Sequence, residues 1–134
     1  MIKYPPQRGM FLLCDFSGFN APEMTKKRPV IAITPSLLHG DGSRLVTVVP
    51  LSTTDPTPVM PYHYRLNNIP PIPYYDSQSA WVKCDMLYTV AYDRLSLFYN
   101  GKGQSGKRNY IYETVNDYDF NQIIECIIKG LGFR

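Results

Sequence analysis

Val46-Thr47-Val48-Val49-Pro50-Leu51-Ser52-Thr53 decides how this chain folds. Its valines are β-branched and stiff at χ1, so they favour a pleated strand over a helix. The near-continuous apolar run, read as a strand over 44–51, predicts burial on both faces. About twenty residues upstream, Lys26-Lys27-Arg28-Pro29-Val30-Ile31-Ala32-Ile33 reads the same way. Each segment is an apolar strand with polar chemistry at one end: Arg28 enters the first, and the Ser52 and Thr53 hydroxyls leave the second. A guanidinium and hydroxyls held on strand ends suit a phosphodiester.

Working outward, Gly9 to Phe16 predicts a first strand and Ser17 to Lys27 a loop. Val30 to Thr34 is the core of the second strand, and Leu38 to Ser43 is a turn rich in Gly and Asp. Pro56, Pro58 and Pro61 stiffen the loop after Ser52, and Tyr62 to Leu66 is a further strand. A second Pro-rich loop, Asn67 to Ser79, leads to a strand over Ala80 to Leu87. A short helical turn is expected between Ala91 and Leu97.

Near the C-terminus, Phe120, Ile123, Ile124, Ile127, Ile128 and Leu131 repeat with helical spacing. Asn116 is placed to cap that helix, Asp117 and Asp119 suit its first turn, and Lys129-Gly130 its end. Five to seven short strands in consecutive runs, closed by one helix, predict a mainly β (α+β) fold. The expected form is a curled antiparallel sheet or barrel with the helix docked on it.

Composition bounds the rest. The chain has 134 residues, 44% hydrophobic and 19% charged, which suits one folded domain over 1–134 rather than a disordered chain. The formal net charge of +3 is compatible with nucleic-acid binding. Three cysteines without a Cys-x-x-Cys argue against a secreted disulfide framework, and Cys14, Cys84 and Cys126 read as small buried hydrophobes. Only His39 and His63 are histidines and no zinc-ligand spacing occurs, so no metal and no cofactor are expected. The apolar run Met10 to Cys14 is too short for a signal peptide, and nothing is long enough to span a membrane. A cytoplasmic location is the expectation.

Several residue groups carry candidate chemistry. Arg28 ends the basic cluster Lys26-Lys27-Arg28, and Pro29 holds it extended. Its guanidinium offers paired donors to a phosphate, although a solvated turn charge is the commoner role for such a run. Ser52 and Thr53 can donate to a phosphate oxygen or cap a turn. Lys83 and Asp85, two apart on an expected strand, share one face; they either divide acid and base work or form an ion pair. His63 offers a neutral imidazole near pH 7.

Gly101-Lys102-Gly103-Gln104-Ser105-Gly106-Lys107-Arg108 spells a phosphate-loop pattern, yet Arg108 stands where Ser or Thr would hold magnesium. It is better read as a basic hairpin whose Lys107 and Arg108 touch a nucleic-acid backbone. Among the eleven tyrosines, Tyr62, Tyr64, Tyr74, Tyr75, Tyr88 and Tyr92 either stack unpaired bases or pack half-buried.

Four of these blocks, in order, resemble the MazF/PemK-like toxin family, nearest its PemK/Kid branch. They are Arg8-Gly9-Met10-Phe11, then Glu23 with Arg28-Pro29-Val30, then Val48-Val49-Pro50-Leu51-Ser52-Thr53 with Pro61-Tyr62-His63, and Val82-Lys83-Cys84-Asp85 followed by Thr89-Val90 and Arg94-Leu95. The resemblance runs from about Arg8 to Leu95. It implies an SH3-like barrel acting as a homodimer. It also implies a metal-independent endoribonuclease on single-stranded RNA, blocked by a cognate antitoxin.

Carried over, Arg28 matches the arginine that binds the phosphate and stabilises the transition state. Ser52 takes the place of a threonine, Lys83 that of the arginine proposed as acid, and Asp85 matches the proposed base. Lys27, Thr53, His63, Lys107 and Arg108 are the expected RNA contacts. Met10 stands where an acid is common, Pro22 where the branch has a histidine, and Tyr88 where it has an arginine. Two other trades on this fold remain open: binding RNA or a partner without cleavage, and poisoning DNA gyrase.

Overall fold

The computed structural model describes residues 1–34, 44–72, 78–102 and 108–133, with backbone alone at 100, 102, 108 and 109. The expected turn from Leu38 to Ser43, with His39, lies outside the described residues, as do Tyr74, Tyr75 and Lys107. The elements run β1 (Phe11–Asp15), β2 (Lys27–Ala32), β3 (Leu45–Ser52), β4 (His63–Leu66), β5 (Ala80–Lys83) and β6 (Tyr88–Ala91). A 3₁₀ turn (Tyr92–Arg94) follows, then β7 (Leu95–Ser96), β8 (Phe98–Lys102), β9 (Arg108–Ile111) and α1 (Asp117–Gly130). Among the described residues nine strands form, more than the expected five to seven, because β8 and β9 pair with each other apart from the main sheet.

Seven strands form one antiparallel sheet in the order β4-β5-β3-β2-β1-β7, with β6 also on β3. The valine-rich β3 serves three partners. It pairs β6 from Leu45 to Val48, β2 from Val48 to Pro50, and β5 at Leu51 and Ser52. A strand shared this way passes from one local sheet to the next, which curls the whole. Six of its eight residues are buried, as the apolar run implied.

Alternation divides the core in two. Val49 and Leu51 face a cluster with Phe11, Ile31, Leu66, Ala80 and Val82, closed by the helix residues Ile123, Cys126 and Ile127. Val46 and Val48 face a second cluster with Leu12, Cys14, Phe16, Val30, Ala32 and Val90. Each such side chain, taken fully out of water, contributes about 1.5–3 kcal/mol.

The helix begins as its sequence implied. Asn116 Oδ1 accepts from the Asp119 amide at 2.7 Å, and Asn116 Nδ2 donates to Asp119 Oδ2 at 2.8 Å. Asp119 also accepts from the Tyr64 hydroxyl, joining the helix start to β4. Asn116→Ala is therefore expected to destabilise the protein by about 1 kcal/mol, read as a lower urea midpoint with unchanged slope.

The helix end differs from expectation. Ile128 and Leu131, assigned to the buried stripe, are 38% and 58% exposed, while Cys126 is buried. The chain turns back there. Gly132, at a φ of +89°, lets its amide reach the Lys129 carbonyl and the Phe133 amide reach that of Ile128, closing the last carbonyls. Among the described residues, no helix is long and apolar enough to cross a membrane.

Candidate functional site

Strand pairing gathers the candidates on one face. Trp81 lies opposite Ser52 on one side and Arg65 on the other, and Lys83 lies opposite His63. The β2–β3 register ends at Val30 opposite Pro50, and two residues further along it Arg28 comes level with Ser52. Alternate positions turn inward: Leu51, Val82, Leu66, Ala80 and Ile31 join the helix-backed core, Tyr62 and Tyr64 pack against it, and Pro29 is buried. Arg28, Ser52, Trp81, Lys83, His63 and Arg65 therefore share the opposite face.

Arg28 is half-buried, and its Nε is fully shielded with no hydrogen-bond partner. Buried polar groups are nearly always paired, and this donor is left for an acceptor from outside the described residues. The only salt bridge among the described residues joins Arg65 to Asp55, so Arg28 and Lys83 keep their charge unneutralised on this face. Ser52 is 7% exposed, and its oxygen accepts from the Thr54 amide at 3.1 Å. It caps a turn, as serines commonly do, while its own proton remains available to donate. Thr53 beside it is exposed. His63 Nδ1 accepts from the Met60 amide at 3.0 Å, so in the neutral ring the proton sits on Nε2.

Asp85 departs from the expected pattern. The strand forecast over Ala80 to Leu87 stops at Lys83, where the Met86 amide closes a turn onto the Lys83 carbonyl at 3.1 Å. The chain must turn there to begin β6 on another part of β3, so Asp85 sits on the turn and not on the strand with Lys83. Neither is there a salt bridge between the two among the described residues. Instead the Cys84–Asp85 backbone lies against the end of α1. A Cβ built on Gly130 would come within 3.2 Å of both the Asp85 Cα and the Cys84 oxygen.

Glycine at 130 thus sets how closely the helix backs this turn. Alanine would favour the helix by about 1 kcal/mol yet push on backbone atoms that must shift a few tenths of an ångström. Gly130→Ala is expected to keep its melting temperature within a few degrees, because the two effects offset, and to increase amide hydrogen exchange at the Cys84–Asp85 turn.

The loop that delivers Arg28 is held by residues whose partners lie far away in sequence. Arg94 Nη1 donates to the Asp15 and Ser17 carbonyls at 2.9 and 2.8 Å, and its guanidinium lies 4.5 Å from the Phe19 ring centre. Tyr88 packs against Phe16 and Phe19, and its hydroxyl accepts from the Met24 amide at 3.0 Å. Tyr88 thus braces the β1–β2 loop. Tyr64 serves the helix and Tyr92 is buried, so packing accounts for both.

The three cysteines are free and buried, and burial pushes the Cys14 and Cys84 thiols up from their ordinary value, Cys14 to about 12. They act as core, as their surroundings implied. The Gly101–Arg108 hairpin is present as β8 paired with β9, Lys102 opposite Arg108, and its tip, including Lys107, lies outside the described residues.

One face therefore presents an arginine and a lysine without carboxylate partners, hydroxyls at a strand end and a positioned histidine, on a curled antiparallel sheet backed by one helix. Cations and hydroxyls grouped in this way have the chemistry to hold a phosphate.

A family model for the PemK-like, MazF-like toxin of type II toxin-antitoxin systems matches residues 7–129. The chain belongs to that family. Solved structures agree on the fold. MazF from Deinococcus radiodurans matches with a TM-score of 0.65 at 14% identity, covering 98% of this chain and all of that one. A mycobacterial endoribonuclease matches at 0.61 and 19% identity, covering 99% and 97%. A mycobacterial endoribonuclease in complex with its cognate antitoxin matches at 0.61 and 20% identity, covering 96% and 97%. No curated protein matches the chain.

Proposed function

We propose that this toxin is a cytoplasmic, sequence-preferring, metal-independent endoribonuclease on single-stranded RNA, acting as a homodimer and silenced by a cognate antitoxin. The observation that carries the reading is Arg28: its shielded Nε has no hydrogen-bond partner among the described residues, and the β2–β3 register, continued past Val30 and Pro50, brings it in line with Ser52. Family membership supports the toxin assignment. The antitoxin complex of the mycobacterial relative supports the partner.

In the proposed reaction the 2′-hydroxyl of the RNA attacks its own 3′-phosphate. The new O2′–P bond closes a cyclic phosphate, and the P–O5′ bond breaks. Asp85 takes the 2′-hydroxyl proton and Lys83 supplies a proton to the departing 5′ oxygen. Charge gathers on the phosphoryl oxygens between these steps, where Arg28 and Lys83 stabilise it and Ser52 fixes the phosphate. Lys27, Thr53, His63, Lys107 and Arg108 would hold the flanking RNA.

The test is incubation of antitoxin-free protein with long single-stranded RNA in EDTA. Discrete fragments are expected. Intact RNA from folded protein would reject the nuclease reading. A second reading, RNA binding without cleavage, draws on Asp85 standing on a turn, past the end of the strand that holds Lys83. Binding that persists without fragments would select it.

A further inference from the structure

We infer that Trp81, braced by Arg65 and Asp55, is a stacking subsite for an unpaired nucleobase beside the phosphate held at Arg28 and Ser52. The inference rests on the RNA reading above but concerns residues outside the catalytic set.

Trp81 stands between two buried residues, Ala80 and Val82, yet is itself only half-buried because β5 turns it to the site face. Burial does not explain a large aromatic there. Its edges are taken. The indole N–H donates to Asp55 Oδ1 at 2.8 Å, and the His63 ring meets it edge-on at 6.5 Å between centres. The Arg65 guanidinium carbon lies 5.4 Å from the ring centre. Arg65 is fixed in turn by Ser79 Oγ at 2.8 Å and Asp55 at 3.6 Å.

With the indole N–H satisfied and the Arg65 guanidinium over one face of the ring, the opposite π face is what the indole has left to offer a ligand. Stability is a weak reason for the arrangement. The Arg65 and Asp55 side chains are 42% and 81% exposed, and such pairs contribute little. Asp55 neither repels a nucleic-acid backbone strongly nor stays free, because Arg65 offsets it.

The position fits the occupant. Trp81 is directly opposite Ser52, one strand spacing of about 4.8 Å away, and Arg28 falls in line with Ser52 one strand further on when the β2–β3 register is continued two residues past its last pair, Val30 with Pro50. A phosphate at Arg28 and Ser52 would thus place an adjoining base over the Trp81–Arg65 layer, with Lys83 and His63 alongside. An aromatic face among cations is how proteins hold unpaired bases, and because every base has a π face the subsite tolerates sequence.

Trp81 is the one tryptophan of the chain, so its fluorescence reports on this ring alone. The protein is titrated with a pool of single-stranded 2′-O-methyl oligonucleotides of randomised sequence, which lack the attacking hydroxyl, and binding is followed separately by anisotropy of a labelled pool. Saturable quenching that tracks the anisotropy is expected. Trp81→Phe should bind within about threefold of the parent and Trp81→Ala about tenfold or more weakly.

Unchanged fluorescence at anisotropy saturation overturns the subsite, as does a folded Trp81→Ala that binds like the parent. Absence of any oligonucleotide binding removes the occupant and the proposal with it. Quenching by a protein that leaves RNA uncut would retire the nuclease reading alone. Cleavage with silent fluorescence would retire the subsite alone.

Discussion

Arg28→Ala is expected to lower the single-turnover rate of RNA cleavage by about 10²–10³-fold, the cost of removing one positioned donor from a developing oxyanion. The fold should survive. Arg28 lies near the start of β2, opposite Cys14 on β1, and its shielded Nε has no hydrogen-bond partner to lose. An unmet buried donor costs about 1–3 kcal/mol in the free protein, so its removal offsets the lost packing of the side-chain stem. The melting temperature should therefore stay within a few degrees of the parent. Arg28→Lys keeps the charge but loses paired donation, and an intermediate loss of about tenfold is expected. A kinetic series in which Ala and Lys behave like the parent would place the phosphate elsewhere.

Ile123→Ala should have the largest effect on stability, about 3 kcal/mol, or roughly 10 °C in melting temperature. Ile123 is fully buried in the cluster that joins α1 to β3, β4 and β5. Truncating it leaves a cavity where the helix meets the sheet. The same helix carries Gly130 against the Cys84–Asp85 turn, so loosened docking reaches the proposed base. A lower urea midpoint with an unchanged slope would confirm a pure packing loss. Little change in either would mean that the helix is not held through this residue.

Much of the fold was legible because its signals are local. The valines of β3 announce a strand buried on both faces, and the apolar spacing with Asn116 announces the helix and its start. The gathering of Arg28, Ser52 and Lys83 on one face needs pairing register as well as alternation, and register is not written in any single segment. The strand forecast over Ala80 to Leu87 ends four residues early, at Lys83, because the chain has to turn to reach β3 again, so Asp85 sits on a turn. The buried stripe of the helix was drawn too far, since Ile128 and Leu131 lie where the chain folds back.

Other parts were not legible at all. Trp81 with Asp55, Arg94 with Asp15 and Ser17, and Tyr88 with Met24 are contacts between residues 26, 79, 77 and 64 positions apart. No periodicity points to them. Tyr88, which reads as a lost arginine against the family pattern, proves to be a brace for the loop that carries Arg28.

The central claim is that this face uses the RNA's own 2′-hydroxyl to break the chain, and the chemistry of the cut ends tests it most directly. RNA cleaved in EDTA should carry a 2′,3′-cyclic phosphate on one fragment and a 5′-hydroxyl on the other, identified by mass spectrometry. Fragments bearing a 5′-phosphate and a free 3′-hydroxyl would contradict the account, because they require water rather than the neighbouring hydroxyl as the attacking group.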